Sequence, residues 1–584
     1  MASPPRKYST GRKILIGIIV LVLIAGATFQ IFIHRYLNPI VRERLEAIIV
    51  KGSDSLYTFD VGALDVSFWR RSLHFSGMHI RIDSNRYRIL EQEDRLPPMT
   101  FDLNLPAGIV NGIGIRELLF KKEIDIGSIH FREANVQLAR HFRKERKVDS
   151  AEVPLWKSIQ PGIKSIRIGN ATCDNLKMSY LNVDNDDKFR WQFDQCDVAF
   201  SGIRVDSASS YDSNRLLFAE NIAINVKHIK MKTPDGMYNI AANQASYSSA
   251  SRLMEFEDFS FHPAMSDRAF IRHYGYQHEI YKLNMPVIRL KNIFMPHWIN
   301  HNALRADTIE LISPKIAVSM DRNAKPNPHS KLGQYPHQLL QKAPFDINIR
   351  RLTAVDGTVT YTEKNNVNQL TGKLVFPSVR GYISNITNEP AAIKRSGTCV
   401  ADVRSGVLNT GLLHAVFRFD LDSKAGAFAV NADISRLNAP QLQPLIKAMT
   451  STDLQSFNMH QLTYSINGNE RTGTGNLRMR YDDMDILINQ VEPDKSLDKK
   501  GLLSFFANRV VIFKENPNDD EGERKAQNIA VKREPTKSFF NFVWKTLFTS
   551  AGEIVLRPMA QRKMEKRKER QLRREARKAA RQKK

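Results

Sequence analysis

Hydrophobic and polar positions change their period along this chain. From Ile14 to Ile33 the sequence ILIGIIVLVLIAGATFQIFI carries no charge, and only Thr28 and Gln30 are polar. At about 1.5 Å per residue such a helix spans roughly 30 Å, the hydrocarbon thickness of a bilayer. Residues 14–33 are therefore predicted to form a transmembrane helix. The alternative is a cleaved signal peptide, with an apolar stretch over 14–24 and Ala25-Gly26-Ala27 as the cleavage site. The apolar run continues past that site through Phe29, Ile31, Phe32 and Ile33, which favours retention. Asn38-Pro39 then reads as a helix cap and first helical residue. Ile40, Val41, Leu45, Ile48 and Ile49 continue a helical stripe, so 34–51 is read as a short juxtamembrane helix.

Beyond Gly52 the period falls from 3.6 to 2. Ile222, Ile224 and Val226 alternate with Ala223 and Asn225; Phe345, Ile347 and Ile349 alternate with Asp346 and Asn348. Phe417, Phe419 and Leu421 alternate with Arg418 and Asp420, and Phe428 and Val430 follow in the same phase. Leu477, Met479 and Tyr481 alternate with Arg478 and Arg480. Such alternation marks strands with one apolar and one wet face, and predicts a mainly β body of mostly antiparallel strands. A degenerate repeat accompanies it. The stretches 124–138, 163–180, 307–320 and 347–361 each read as an alternating strand, a turn-prone cluster and a second alternating strand. They are taken as hairpin units.

Helical interruptions are few. APQLQPLIKAMTS (439–451) places Leu442, Leu445, Ile446 and Met449 on one helical face. Loops are expected at 143–152, 321–344, 489–500 and 515–535. SFFNFVWKTLF (538–548) follows as a strongly apolar helical segment. The resulting map is a basic arm (1–13), a transmembrane helix (14–33), a juxtamembrane helix (34–51) and a β-rich body (52–514). A flexible linker (515–535), an amphipathic aromatic segment (536–556) and a basic helical or disordered tail (557–584) complete it.

Charge adds topology. Of the net +25, the arm supplies +4 through Arg6, Lys7, Arg12 and Lys13; residues 561–584 supply +10, thirteen Lys/Arg against three Glu. A basic arm before the span places the N-terminus in the cytoplasm and the body outside it. Only three cysteines occur, Cys173, Cys196 and Cys399, which excludes a disulfide-dense scaffold. Cys173 and Cys196 lie in neighbouring strand-like runs, leaving open one bridge or two separate buried thiols.

A sheet with one apolar face must cover it. Either it folds over as a packed sandwich, or it curls into a trough that holds something apolar. GSDSLYTFDVGALDVSFWRRSLHFSGMHIRID (52–83), just after a single span and a short helix, resembles the opening of AsmA-like proteins. LTYSINGNERTGTGNLRMRYDDMDILI (462–488) is similar to that family's Gly-rich hairpin and closing strands. SFFNFVWKTLF with its basic end resembles the C-terminal segment of the versions in Bacteroidetes-like bacteria.

The resemblance implies an inner-membrane, single-pass protein with a periplasmic body. That body would be an elongated, curled antiparallel sheet, a β-groove of hairpin repeats similar to bridge-like lipid transfer proteins. Phospholipid would be the ligand. Its acyl chains would lie on Ile222, Ile224, Val226, Phe345, Ile347, Phe417, Phe419, Phe428, Val430, Leu477 and Met479. With about 25 strands at roughly 4.8 Å spacing, such a groove would run about 120 Å. An assembly factor for outer-membrane proteins, without transport, is the alternative.

No catalytic pattern emerges, and neither enzyme activity nor a cofactor is expected. His297 and His301 have i, i+4 spacing but lack the glutamate of a zinc-protease helix, and Pro296 precedes them. NGIGIRE (111–117) and GNERTGTG (468–475) read as strand turns rather than phosphate loops. The external topology argues against nucleic acid as a partner of the tail. Aromatics beside a cationic run suit an anionic membrane surface, with Phe539, Phe540, Phe542, Trp544, Phe548, Arg562 and Lys563 as contacts. A second membrane or an envelope protein would be met there; a solvated polyelectrolyte is the other reading.

Overall fold

The structure is a computed structural model in which the described residues are 53–140, 164–182, 190–488 and 512–557, apart from a few positions within them, together with part of 39–50. The arm 1–13, the predicted span 14–33 and the tail beyond 557 lie outside the described residues. Among the described residues no helix is long and apolar enough to cross a membrane. The described positions of 39–50 are helical.

The described strands form one continuous, mixed but mostly antiparallel sheet of 22 strands, and the chain divides into two units. The first comprises 1–235 and 242–252, the second 236–241 and 253–584. In order, β1 to β9 are Tyr57–Ser67, Ser72–Ile82, Met99–Asn111, Glu123–Arg132, Asn135–Arg140, Ser165–Asn182, Arg190–Val205, Asn221–Lys232 and Tyr238–Ser248. From Leu253 on, β10 to β15 are Leu253–Pro263, Ile280–Lys291, Ala303–Ile312, Lys315–Asp321, Asp346–Lys364 and Thr371–Thr387. The last strands, β16 to β22, are Thr398–Val407, Gly411–Asp420, Phe428–Ile434, Leu437–Asn438, Thr452–Gly468, Thr472–Ile488 and Lys525–Lys532. Helices are short: α1 Ser84–Gln92, α2 Asp267–Tyr274, α3 Met295–His301, α4 Pro336–Gln341, α5 Pro390–Arg395, α6 Ala439–Thr450 and α7 Phe539–Val555.

The four repeats are not hairpins. β4 and β5 do not pair with each other; both lie between β3 and β6, as one strand broken at Glu133. β12 and β13 likewise both lie between β11 and β14, broken at Ser313. The stretches 163–180, from Ser165 on, and 347–361 belong to single long strands, β6 and β14, each with register shifts. All four breaks carry a residue with positive φ: Glu133 (55°), Asn175 (55°), Ser313 (49°) and Asp356 (54°). One left-handed residue kinks a strand without reversing it. Glu133 N–H donates to Asp174 O (2.9 Å) and Ser313 N–H to Val355 O (2.8 Å), so neighbouring breaks align.

Two junctions are parallel, β4/β5 with β6 and β12/β13 with β14, within the mostly antiparallel body that the alternation predicts. Parallel neighbours need a long crossover. In the second unit this is 322–345, expected as a plain loop but holding α4. The expected linker 515–535 contains β22, whose Gly473↔Val531 and Leu477↔Ala526 pairs add a strand to β21.

Candidate functional site

Directly paired residues share a face, so the register traces each apolar row across the sheet. In the second unit one row runs Met254, Leu290, Ile309, Leu352, Ile383, Ala401, Phe417, Val430 and Ile466, with no polar member over nine strands. In the first unit a comparable row runs Val66, Leu73, Val110, Ile129, Ala171, Phe200 and Ile222. Its neighbour runs Leu64, Phe75, Gly108, Phe131, Cys173, Val198 and Ile224. Gly108 is required there, because a Cβ would stand 2.2 Å from the Phe75 ring and 3.0 Å from that of Phe131.

The opposite face is charged. Arg289 pairs with Glu255 (2.5 Å) and Lys291 with Glu310 (2.6 Å). Arg478 and Arg480 both bond Glu523 (2.7 Å), and these bonds hold its carboxyl down at about 2. The sheet is two-faced as the alternation requires.

Cover over the apolar face is uneven. Met254, Ile309, Leu352 and Ile383 are half-buried around a buried Leu290, whereas Ala401, Val430 and Ile466 are buried. The difference is α7. Its buried stripe Phe539, Phe542, Thr546, Ser550 and Ile554 lies against β20–β22 and joins a large core with Phe419, Phe428, Tyr464 and Leu477. Close approach depends on glycine: a Cβ on Gly475 would stand 2.7 Å from Thr546 Cγ2, and one on Gly473 3.0 Å from Phe542. Tyr464 Oη donates to Val543 O (3.2 Å). The Gly-rich hairpin is thus a helix seat. Its turn is closed by Asn469 Oδ1, which accepts from Arg471 N (2.8 Å) and Thr472 N (3.0 Å).

The 322–345 crossover is strapped onto the same core. Tyr335 is fully buried against Phe428 and Phe539, under the Arg533 guanidinium at 4.3 Å, and Tyr335 Oη donates to Asn469 O (3.1 Å). Glu470 accepts from Gly333 N (2.8 Å) and Gln338 Nε2 (3.2 Å). His337 is buried and stacked on Phe419, its two ring nitrogens without a hydrogen-bond partner. Burial lowers its pKa, while Asp420 pulls it partly back. At one edge of the apolar face Tyr361 Oη donates to Glu363 (2.6 Å), which Arg322 also binds (2.9 Å). Lys331 pairs there with Glu279 (2.5 Å).

The expected site residues separate accordingly. Ile222, Ile224 and Val226 lie on β8, the first two in the rows described above, with Ile222 and Val226 buried. Phe345 just precedes β14 and Ile347 lies within it; both are half-buried. Phe419, Phe428, Val430, Leu477 and Met479 are buried in the packed core, with half-buried Phe417 beside them. Of the aromatic contacts, Phe539 and Phe542 are buried on the sheet, Trp544 and Phe548 stack on each other half-buried, and Phe540 is exposed. Arg562 and Lys563 lie outside the described residues.

The period of two marks Ile309 in TIEL but not Leu352, which stands three residues from Ile349 across Arg350-Arg351. The cysteines are free thiols, with Cys173 opposite Val198 and Cys196 opposite Leu176. Burial pushes the Cys196 thiol up to about 11. Among the described residues no group of His, Cys, Asp or Glu is arranged to hold a metal. Comparison with known proteins finds no family model that matches the chain and no curated protein that matches it.

Proposed function

We propose that this chain is a non-enzymatic lipid carrier of a bacterial cell envelope, anchored in the inner membrane by 14–33 with its body in the periplasm. The observation that carries the reading is the unbroken apolar row from Met254 to Ile466, half-buried at Met254, Ile309, Leu352 and Ile383 and buried between them only at Leu290. Each methylene laid on such a face gains about 0.8 kcal/mol, and the charged outer face keeps the sheet in water. Acyl chains lie on the half-buried stretch as in a curled groove, and head groups meet the charged edge around Arg322, Glu363 and Lys331. The resemblance to AsmA-like proteins supports the same assignment.

Native mass spectrometry of the gently purified full chain tests it. Bound phospholipid is expected, and Ile309→Asp or Leu352→Asp should remove it while the circular dichroism is kept and the melting temperature falls by only a few degrees. Absence of lipid from the parent, or wholesale unfolding of both variants, would favour a closed sandwich. The packed core under α7 and the strap favours a second reading for that end of the chain, a scaffold for envelope assembly. A stoichiometric protein partner without lipid would support it.

A further inference from the structure

Among the described residues, the most exposed large aromatics are Trp69 (68%) and Phe120 (81%). Trp69 lies in the turn between β1 and β2. Phe120 lies in the single π-helical turn Glu117–Lys121 between β3 and β4. Because β1, β2 and β3 are successively antiparallel, both connections leave the sheet at one edge. They are bonded to each other: Ile113 N–H donates to Arg71 O (3.0 Å), and Arg71 Nε donates to Ile113 O (2.9 Å). Lys164 N–H donates to Lys122 O (2.8 Å), which brings a third segment to the same place.

The charge there is one-sided. Arg70, Arg71, Arg116, Lys121, Lys122 and Lys164 outnumber Glu117, Glu123 and Asp125, the last two of which also face Arg167, and all six cations are exposed. Core packing does not account for rings left this open. A groove-binding partner does not fit either, since the rings stand on two projecting turns. Aromatic tips each followed directly by paired cations (Trp69 by Arg70-Arg71, Phe120 by Lys121-Lys122) match a bilayer interface, where rings sit at head-group level and cations meet lipid phosphate.

We propose that these two turns dock the first unit on an anionic membrane surface. The site is independent of the lipid-carrying reading, and it lies far in sequence from the C-terminal aromatics, two of which the core consumes.

The test uses the full chain reconstituted in phosphatidylcholine vesicles with or without phosphatidylglycerol. An environment-sensitive fluorophore is placed at Phe120→Cys, and in parallel at Asp235→Cys in the turn between β8 and β9. The unsubstituted chain, labelled alongside, corrects for native thiols. Quenching by brominated acyl chains is expected at position 120 in the anionic vesicles, several-fold less in the zwitterionic ones, and little at position 235. Replacing Arg70, Lys121 and Lys122 by Gln removes three cations worth about tenfold or less each. Together they should weaken the contact on the order of 100-fold and abolish most of the quenching. Equal quenching at 120 and 235, or quenching at 120 indifferent to lipid charge and to the Gln variant, overturns the proposal.

Discussion

Ile309 and Ile466 sit in one row of one face, yet they live in different surroundings. Around Ile309 the neighbours are Leu290 and Leu352, and nothing buries it fully. Ile466 faces Val430 and Gly475 beneath α7 and is fully buried. The strands are alike in pattern, so alternation decides which face is apolar and leaves open what lies on it. Cover comes from elsewhere in the chain, from the glycines that let a helix approach and from the small residues that face them.

The comparison breaks first at Phe542. Removing a ring from the packed end should cost about 3–5 kcal/mol for Phe542→Ala, whereas Leu352→Ala on the half-buried stretch should cost roughly 1–2 kcal/mol, since less apolar area is lost. Urea unfolding of both variants measures the gap, and equal losses would mean that β10–β15 is as closed as β20–β22. Gly475→Ala comes next. Its methyl would overlap Thr546, and an overpacked seat typically loses about 1–3 kcal/mol. A double variant with Thr546→Ser should recover part of that loss, because the overlapping methyl is gone.

A pH dependence of the strap sharpens the contrast. His337 titrates below its ordinary value of about 6.5 because it is buried. The unfolded strap therefore binds the proton more readily than the folded one. Its contribution is complete above the unfolded value and declines as pH falls through it. Thermal melts from neutral to mildly acidic pH should fall less for His337→Phe than for the parent. Indistinguishable slopes would remove the histidine from the account. The smallest effect is expected at Glu523, on the charged face. Glu523→Gln should lower the melting temperature slightly at neutral pH, because it removes the carboxylate that Arg478 and Arg480 share while those arginines stay half-exposed to solvent.

Much of this was readable beforehand. The alternating stretches at 222–226, 347–349, 417–421, 428–430 and 477–481 are strands, and 439–450 and 539–555 are helices. The broken strands read as turns because Ala134-Asn135 and Ser313-Pro314 have turn chemistry, and the same chemistry serves a kink. Only the strand alongside decides between them, and it lies far away in sequence. β22 is hard to read because its apolar residues, Ala526, Ile529, Ala530 and Val531, do not alternate and sit in a charged segment. The aromatics of α7 posed a deeper ambiguity. A helix face rich in Phe suits a membrane or a sheet equally, and Gly473 and Gly475, some 70 residues earlier, hold the answer.

The broken strand with its parallel crossover occurs twice, beginning at Glu123 and at Ala303, and the second segments begin at Asn135 and Lys315, so both intervals are 180 residues. In each block the kink of one strand is matched by a left-handed residue in the next, Glu133 by Asn175 and Ser313 by Asp356. Each block thus carries its own register marks and needs no outside element to align its rows. A block of that kind keeps its internal register when it is copied in tandem, and only its junction with the next strand has to be matched. Row length then becomes a heritable quantity, adjustable in whole blocks, while the chemistry of the face is left untouched.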